Sequence, residues 1–168
     1  CKARETGRIT IDYETYVDDD QRNFALQAFI ARIKLLSLSS GGVSCCVTWN
    51  LLDAPMIREY GNVLADESIT KAWHNGCEYD AAVSKNYWHQ FDIRGPQEDT
   101  LLMQHAAWPG APKRLQHVVS QFFLIPPWKS DYRAKGDSLL DEANYSVLDV
   151  HATDAAIEPL QFWVKKTH

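Results

Sequence analysis

Two acidic residues, one position apart, lie at the end of an apolar run with strand character. The run Ile-Thr-Ile-Asp-Tyr-Glu-Thr spans residues 9–15, and its acids are Asp12 and Glu14. Because residues i and i+2 of a β-strand project from the same face, the two carboxylates should lie side by side. Such carboxylates repel each other unless one is protonated or a cation lies between them, and Mg²⁺ prefers oxygen ligands of this kind. A solvated turn after a strand gives the same pattern, so a metal site requires further acids.

A second acid follows a predicted turn in the middle of the chain. The segment Trp-His-Asn-Gly-Cys-Glu-Tyr-Asp spans residues 73–80. A strand is predicted to end at His74, the Asn-Gly pair at 75–76 indicates a turn, and Asp80 is predicted to begin a helix. A carboxylate is favourable there because of the helix dipole, so Asp80 is either an ordinary first-turn acid or a site residue.

The third candidate pair is Tyr145 and Asp149. Residues four apart share one face of a helix, so the phenol and the carboxylate are predicted to be neighbours. A phenol one turn from an acid can position a water molecule by hydrogen bonding. A Tyr–Asp pair on an exposed helix face is the alternative interpretation.

The order of predicted elements indicates an α/β domain with a mixed sheet. Strands are predicted at 8–13, within 24–38, at 43–49 and at 69–73, with a loop at 16–23 and a Ser/Gly hairpin turn at 39–42. Helices are predicted at 55–64, 80–88, 100–107 and 139–166, the last in one or two pieces with a break or kink at Pro159. An amphipathic segment at 115–123 and a long loop at 125–138 lie between the last two helices.

Length and composition predict a single domain over residues 1–168. The net charge of −5 argues against bulk electrostatic capture of nucleic acid, although a cluster of metal-binding acids would bias that count. No apolar stretch is long enough for a membrane span, and the first residues lack the apolar core of a signal peptide. Because the chain does not begin with Met, it is predicted to be a trimmed domain or a fragment.

The four cysteines form no Cys-x-x-Cys pair, which argues against a structural zinc site. Cys45, Cys46 and Cys77 are instead predicted to be reduced, buried thiols, as is typical of a cytosolic protein.

Taken together and in this order, the three acidic motifs resemble those of the DEDD 3′–5′ exonuclease superfamily. The tyrosine places the resemblance in the subgroup that contains the proofreading domains of family A DNA polymerases and the exoribonucleases of the ribonuclease D type. The spacing Asn-Gly-x-x-Tyr-Asp at 75–80 is similar to that of phage polymerases. Three further segments share this likeness: Glu-Asp-Thr-Leu at 98–101, Pro-Lys-Arg-Leu at 112–115 and Ile-Pro-Pro-Trp-Lys at 125–129.

The resemblance implies a ribonuclease H-like fold, with about five strands in a mixed sheet, the first three antiparallel, flanked by helices. It also implies that four acids bind two Mg²⁺ or Mn²⁺ ions, namely Asp12, Glu14, Asp80 and Asp149. Tyr145 would orient the attacking water, and nucleoside 5′-monophosphates would leave from the 3′ end.

The substrate-binding residues that the resemblance implies are Thr15, near the terminal nucleotide, and Asn75, against the strand. Asp99 is interpreted as a helix N-cap outside the metal set. A basic cluster between 112 and 136 either holds phosphates, with Trp128 or Tyr132 as a stacking surface, or is a solvated loop. Its members are Lys113, Arg114, Lys129, Arg133 and Lys135, of which Lys129 and Arg133 are the predicted phosphate contacts.

The sequence therefore predicts a metal-dependent 3′–5′ exonuclease that acts on the 3′ end of single-stranded DNA in proofreading. An exoribonuclease of the ribonuclease D type and a catalytically degenerate binding or docking module remain as alternatives. The presence of all four acids and the tyrosine argues against the degenerate module. A polymerase domain or replication partner is a possible partner, and the predicted location is the cytoplasm, or the host cytoplasm if the chain is phage-encoded.

Overall fold

A computed structural model describes residues 2–18, 27–86, 88–126, 128 and 138–167. The predicted phosphate contacts Lys129 and Arg133 lie outside these residues, as do Tyr132 and Lys135.

The described residues contain a mixed sheet of five strands. The strands are β1 (Arg8–Tyr16), β2 (Arg32–Ser40), β3 (Val43–Thr48), β4 (Thr70–Trp73) and β5 (Gln97–Asp99). Their order in the sheet is β3-β2-β1-β4-β5. The first three strands are antiparallel, and β4 runs parallel to both β1 and β5. The predicted mixed sheet with three antiparallel strands is therefore confirmed.

Helices cover the sheet. In the described ranges they are α1 (Lys2–Thr6), α2 (Gln27–Ile30), α3 (Ala54–Ala65), α4 (Asp80–Lys85), α5 (Thr100–Ala107), α6 (Leu115–Ser120) and α7 (Leu139–Thr167), with a 3₁₀ turn at Trp49–Leu51. None of the helices in the described part of the chain is long and apolar enough to cross a membrane.

Four element boundaries differ from the sequence prediction. The first strand continues to Tyr16, and α4 ends at Lys85 because Asn86 leaves the helical conformation and its N–H bonds to the Val83 carbonyl. β5 takes residues 97–99, where the sequence predicted only the start of a helix. α7 continues through Pro159 as one helix, so of the one or two pieces that the sequence allowed, the structure has one.

The buried-thiol prediction is also wrong for the cysteines that the structure describes. Cys45 and Cys77 are exposed and Cys46 is half-buried, and all three are free thiols. Cys45 and Cys46 lie on β3, the edge strand of the sheet, where one side of the strand has no neighbour to cover it.

The two faces of β1 have different roles. One face carries Ile9, Ile11 and Tyr13, which belong to the main hydrophobic core together with residues of α3 and α4. The opposite face carries Thr10, Asp12 and Glu14, and α7 packs across it. The period of two that the sequence predicted therefore directs both acids of β1 towards the long C-terminal helix.

Polar contacts fix the position of α7 on the sheet. The buried carboxylate of Asp154 accepts hydrogen bonds from Thr10 Oγ1 at 2.9 Å and Ser39 Oγ at 3.1 Å. Near the sheet edge, His151 Nδ1 pairs with Ser44 Oγ at 2.9 Å. Buried polar groups lose free energy when they lack partners, so these pairs favour one register of the helix over others.

Candidate functional site

The site begins where β1 extends beyond its parallel neighbour. β1 pairs with β4 only from Arg8 to Thr10, and its register against β2 shifts between Glu14 and Thr15. The backbone N–H of Tyr13 faces the space left beyond β4 and donates to Asp80 Oδ1 at 3.1 Å. The start of α4 therefore completes the hydrogen bonding of β1 at the acids.

The buried carboxylate of Asp80 lies in a concentration of negative charge. Burial, followed by the neighbouring charge of Asp12, raises its pKa well above the usual range, and Glu14 acts in the same direction. The hydrogen bond from the Tyr13 N–H opposes this shift. Asp80 therefore interacts electrostatically with Asp12 and Glu14, which are distant from it in sequence.

A turn held by Asp99 positions Asp80. Asn75 has a φ of 64°, in the left-handed region that Asn tolerates better than most residues. The Asp99 carboxylate accepts hydrogen bonds from the backbone N–H groups of Asn75 (2.9 Å), Cys77 (3.1 Å) and Leu101 (2.9 Å). The predicted N-cap on α5 is confirmed by the Leu101 contact. The other two bonds also make Asp99 the anchor of the turn before Asp80.

We expect Asp99→Asn to lower the free energy of unfolding by about 1–3 kcal/mol, because a half-buried N–H group loses its charged acceptor. The carboxylate uses both oxygens, whereas an amide has one acceptor oxygen and an NH₂ group that cannot accept. Urea denaturation monitored by circular dichroism measures the change.

Asp53→Asn is the matched control for this substitution. Asp53 caps α3 through one hydrogen bond from the Met56 N–H at 2.8 Å. Asn is about as good as Asp at an N-cap, so the control should leave stability unchanged. Equal stability of the two variants would contradict the role of Asp99 in the turn.

The late helix α7 contributes the remaining candidates. Asp149 is buried, and its Oδ1 accepts a hydrogen bond from Trp128 Nε1 at 2.5 Å. One turn earlier, the Ser146 hydroxyl donates to Asp12 Oδ2 at 3.1 Å and is hydrogen-bonded to Ser37 Oγ at 2.7 Å. Sequence reasoning missed Ser146, because its contacts with Asp12 and Ser37 join segments that are more than 100 positions apart.

One cavity of about 820 Å³ brings four of the predicted residues together, whereas Glu14 and Asp80 are not among the residues that line it. Its lining includes Asp12, Asn75, Tyr145 and Asp149, and also two cations from the segment before α6, Lys113 and Arg114. The cavity is therefore lined by both acids and bases. Thr15 is not among the residues that line this cavity, and its hydroxyl is hydrogen-bonded to Tyr79 OH at 2.8 Å.

The chemistry of these donors fits a hard divalent cation, since carboxylate oxygens predominate. The raised pKa of Asp80 is caused first by burial and then by the charge of Asp12, with a smaller effect of Glu14 in the same direction. Within the described ranges, however, no three Asp, Glu, His or Cys side chains are grouped closely enough to hold one ion. His151, which the sequence left outside the metal set, contacts Ser44.

No protein-family model and no curated protein sequence matches the chain. Among solved structures, Brucella melitensis NrnC with bound Mg²⁺ aligns with a TM-score of 0.71 and 21% identity, over 98% of this chain and 76% of that one. Escherichia coli RNase D aligns with a TM-score of 0.68 and 21% identity, over 98% of this chain and 41% of that one. It is described as an exoribonuclease involved in structured RNA processing. The POL domain of Pol1 from M. smegmatis aligns with a TM-score of 0.65 and 16% identity, over 95% of this chain and 24% of that one. The chain therefore has the ribonuclease H-like fold that these structures share.

Proposed function

We propose that the chain is a metal-dependent 3′–5′ exonuclease of the DEDD type. The observation that supports this most is the shared cavity, where Asp12, Tyr145 and Asp149 meet Lys113 and Arg114. Carboxylates and cations in one cleft suit an anionic phosphodiester that needs both metal ligands and positive contacts.

The metal ligands in this proposal are Asp12, Glu14, Asp80 and Asp149. When bound, two Mg²⁺ or Mn²⁺ ions would lower the pKa of the attacking water and offset negative charge on the attacking oxygen and on the 3′ oxygen that leaves. The likeness to NrnC with bound Mg²⁺ supports this choice of cation.

The remaining roles belong to groups of the chain itself. Ser146 donates to Asp12 Oδ2 and so restricts the rotation of that carboxylate. Tyr145 hydrogen-bonds the attacking water, and Asn75, which lines the same cavity, contacts the substrate strand. Lys113 and Arg114 contact phosphates of the strand. Each role is one of positioning, which contributes to rate by holding the reactants in an attack geometry.

We propose RNA rather than DNA as the substrate. The prediction of a DNA substrate from the sequence rests on the likeness to phage polymerases. RNase D, by contrast, is described as an exoribonuclease, and it aligns at higher identity than Pol1. A further NrnC structure is bound to pGG and aligns over 98% of this chain. The Pol1 complex with a DNA primer-template supports DNA as the second candidate.

A matched set of oligonucleotides tests the proposal. Single-stranded RNA and DNA of one sequence, each free or blocked at the 3′ end, are incubated with Mg²⁺, Mn²⁺ or EDTA. We expect nucleoside 5′-monophosphates from free 3′ ends only, faster from RNA, and no product in EDTA. Faster release from DNA would favour the second candidate.

Two outcomes would contradict the exonuclease itself. Activity that survives EDTA would remove the role of divalent ions, and tight binding of strands without any cleavage would indicate the degenerate binding module. A preparation carrying Asp12→Ala controls for contaminating nucleases, because its rate should fall to the background level.

A further inference from the structure

Trp128 lies between the acid cavity and the second hydrophobic core. It packs against the core cluster formed by Leu115, Val118, Val119, Ala152, Ala156 and Leu160. It also lines an apolar cavity of about 220 Å³ beside α7, together with Leu148 and Ala152. The half-buried ring therefore contacts both the second hydrophobic core and this apolar cavity.

The polar edge of the same ring is directed at the acid cavity. Trp128 Nε1 donates to Asp149 Oδ1 at 2.5 Å, while Asp149 itself lines the cavity with Asp12 and Tyr145. An indole has one N–H and no acceptor, so this contact assigns Oδ1 as an acceptor and limits rotation of the carboxylate. A hydrogen bond to a charged group is stronger than one between neutral groups.

We propose that Trp128 is a positioning residue that fixes the orientation of Asp149 for cation binding. Apolar contacts hold the indole ring in place, and the hydrogen bond from its N–H restricts the orientation of the Asp149 carboxylate. The inference rests on the proposed function for its catalytic consequence, but the contact and the cation affinity can be measured without turnover. The ordering of a ligand by such an outer partner is a general property of metal sites.

Trp128→Phe tests the proposal, since phenylalanine keeps an aromatic ring in the core but has no N–H. We expect the affinity for Mn²⁺, measured by isothermal titration calorimetry, to fall about 10- to 100-fold, as is usual when an outer partner of a metal ligand is removed. The exonuclease kcat should fall by a similar factor, while the KM for substrate stays within about threefold because no substrate contact is lost.

The contact itself has a spectroscopic signature. The chain contains 6 tryptophans, so a ¹H–¹⁵N spectrum of labelled protein shows one indole signal for each. The signal lost in Trp128→Phe identifies Trp128, and it should move upfield in Asp149→Asn, where a neutral amide replaces the charged acceptor. Trp88→Phe is the control, because Trp88 is half-exposed beneath the Arg32 guanidinium, with 3.9 Å to the ring centroid.

The outcomes separate this inference from the proposed function. Equal Mn²⁺ affinity in wild type and Trp128→Phe would overturn the positioning role, as would an indole signal that Asp149→Asn leaves in place. An inactive wild type whose Mn²⁺ affinity still depends on Trp128 would overturn the proposed nuclease and support the positioning role.

Discussion

Asp80→Asn is expected to abolish exonuclease activity and, in EDTA, to raise the thermal stability of the protein. Loss of a metal ligand removes several kcal/mol of transition-state stabilisation, which corresponds to a rate reduced by roughly 10³ or more. Stability should rise because burial, and after it the nearby charges of Asp12 and Glu14, disfavour the ionised form of this carboxylate. An amide oxygen can still accept the Tyr13 N–H, so the turn around it is preserved.

The measurements are single-turnover cleavage with Mg²⁺ and thermal unfolding in EDTA. A gain of about 1 kcal/mol raises Tm by roughly 2–4 °C in a chain of this size. Opposite signs for activity and stability are the signature of a group placed for function rather than for folding. An unchanged cleavage rate would remove Asp80 from the metal set, and a lower Tm in EDTA would contradict the charge repulsion.

Asp154→Asn, on α7, is the matched control for Asp80→Asn. Asp154 is equally buried, but it accepts from Thr10 and Ser39 and lies 3.5 Å from Arg8 Nε, so its charge has partners. Neutralising it should lower Tm, because the ion pair is lost and only one amide oxygen remains for two hydroxyls. Its cleavage rate should stay within a few-fold of the wild type when measured well below Tm.

Local patterns were sufficient to predict the acids of the site. Asp12 and Glu14 follow from the period of two in a strand, and Tyr145 and Asp149 from the spacing of one helical turn. Asp80 was placed correctly at a helix start, where α4 begins. The number of strands and the three antiparallel strands came from the resemblance to a known superfamily rather than from periodicity.

The groups that orient those acids could not be predicted, because each depends on contacts between distant segments. Ser146 reaches Asp12 across 134 positions, and Asp99 holds a turn 22 to 24 positions earlier in the chain. A single serine within a helix has no periodic signal that distinguishes it from a solvated residue. β5 was missed for a different reason, since a strand of three residues is too short to show alternation.

Gly76→Ala is expected to disturb both stability and catalysis through one steric contact. A Cβ at Gly76 would lie 2.5 Å from Trp73 Cβ and 2.9 Å from Trp73 Cγ, and 3.0 Å from Asp80 Oδ2. Trp73 is fully buried at the end of β4, so it cannot rotate away without disrupting the core. Overpacking of this kind costs about 1–3 kcal/mol.

The catalytic consequence follows from where the displaced atoms would go. If Trp73 stays in place, the turn must move outward and Asp80 moves with it, away from the Tyr13 N–H. A shift of about 1 Å in a catalytic group can cost on the order of 10²-fold in rate. We therefore expect a lower urea midpoint and a cleavage rate reduced by about that factor, with the KM for substrate changed much less.

Gly110→Ala separates this effect from the general loss of a glycine. A Cβ at Gly110 meets no atom within 4 Å, and this glycine is not among those with positive φ. Alanine there should leave the cleavage rate unchanged and stabilise the fold slightly, by about 0.4–1 kcal/mol, because it restricts the unfolded chain. If Gly76→Ala kept the wild-type rate while losing stability, the turn would be tolerant of displacement. Close packing of Trp73 against this turn would then serve folding alone, and Asp80 would have to be held by the Tyr13 N–H and α4.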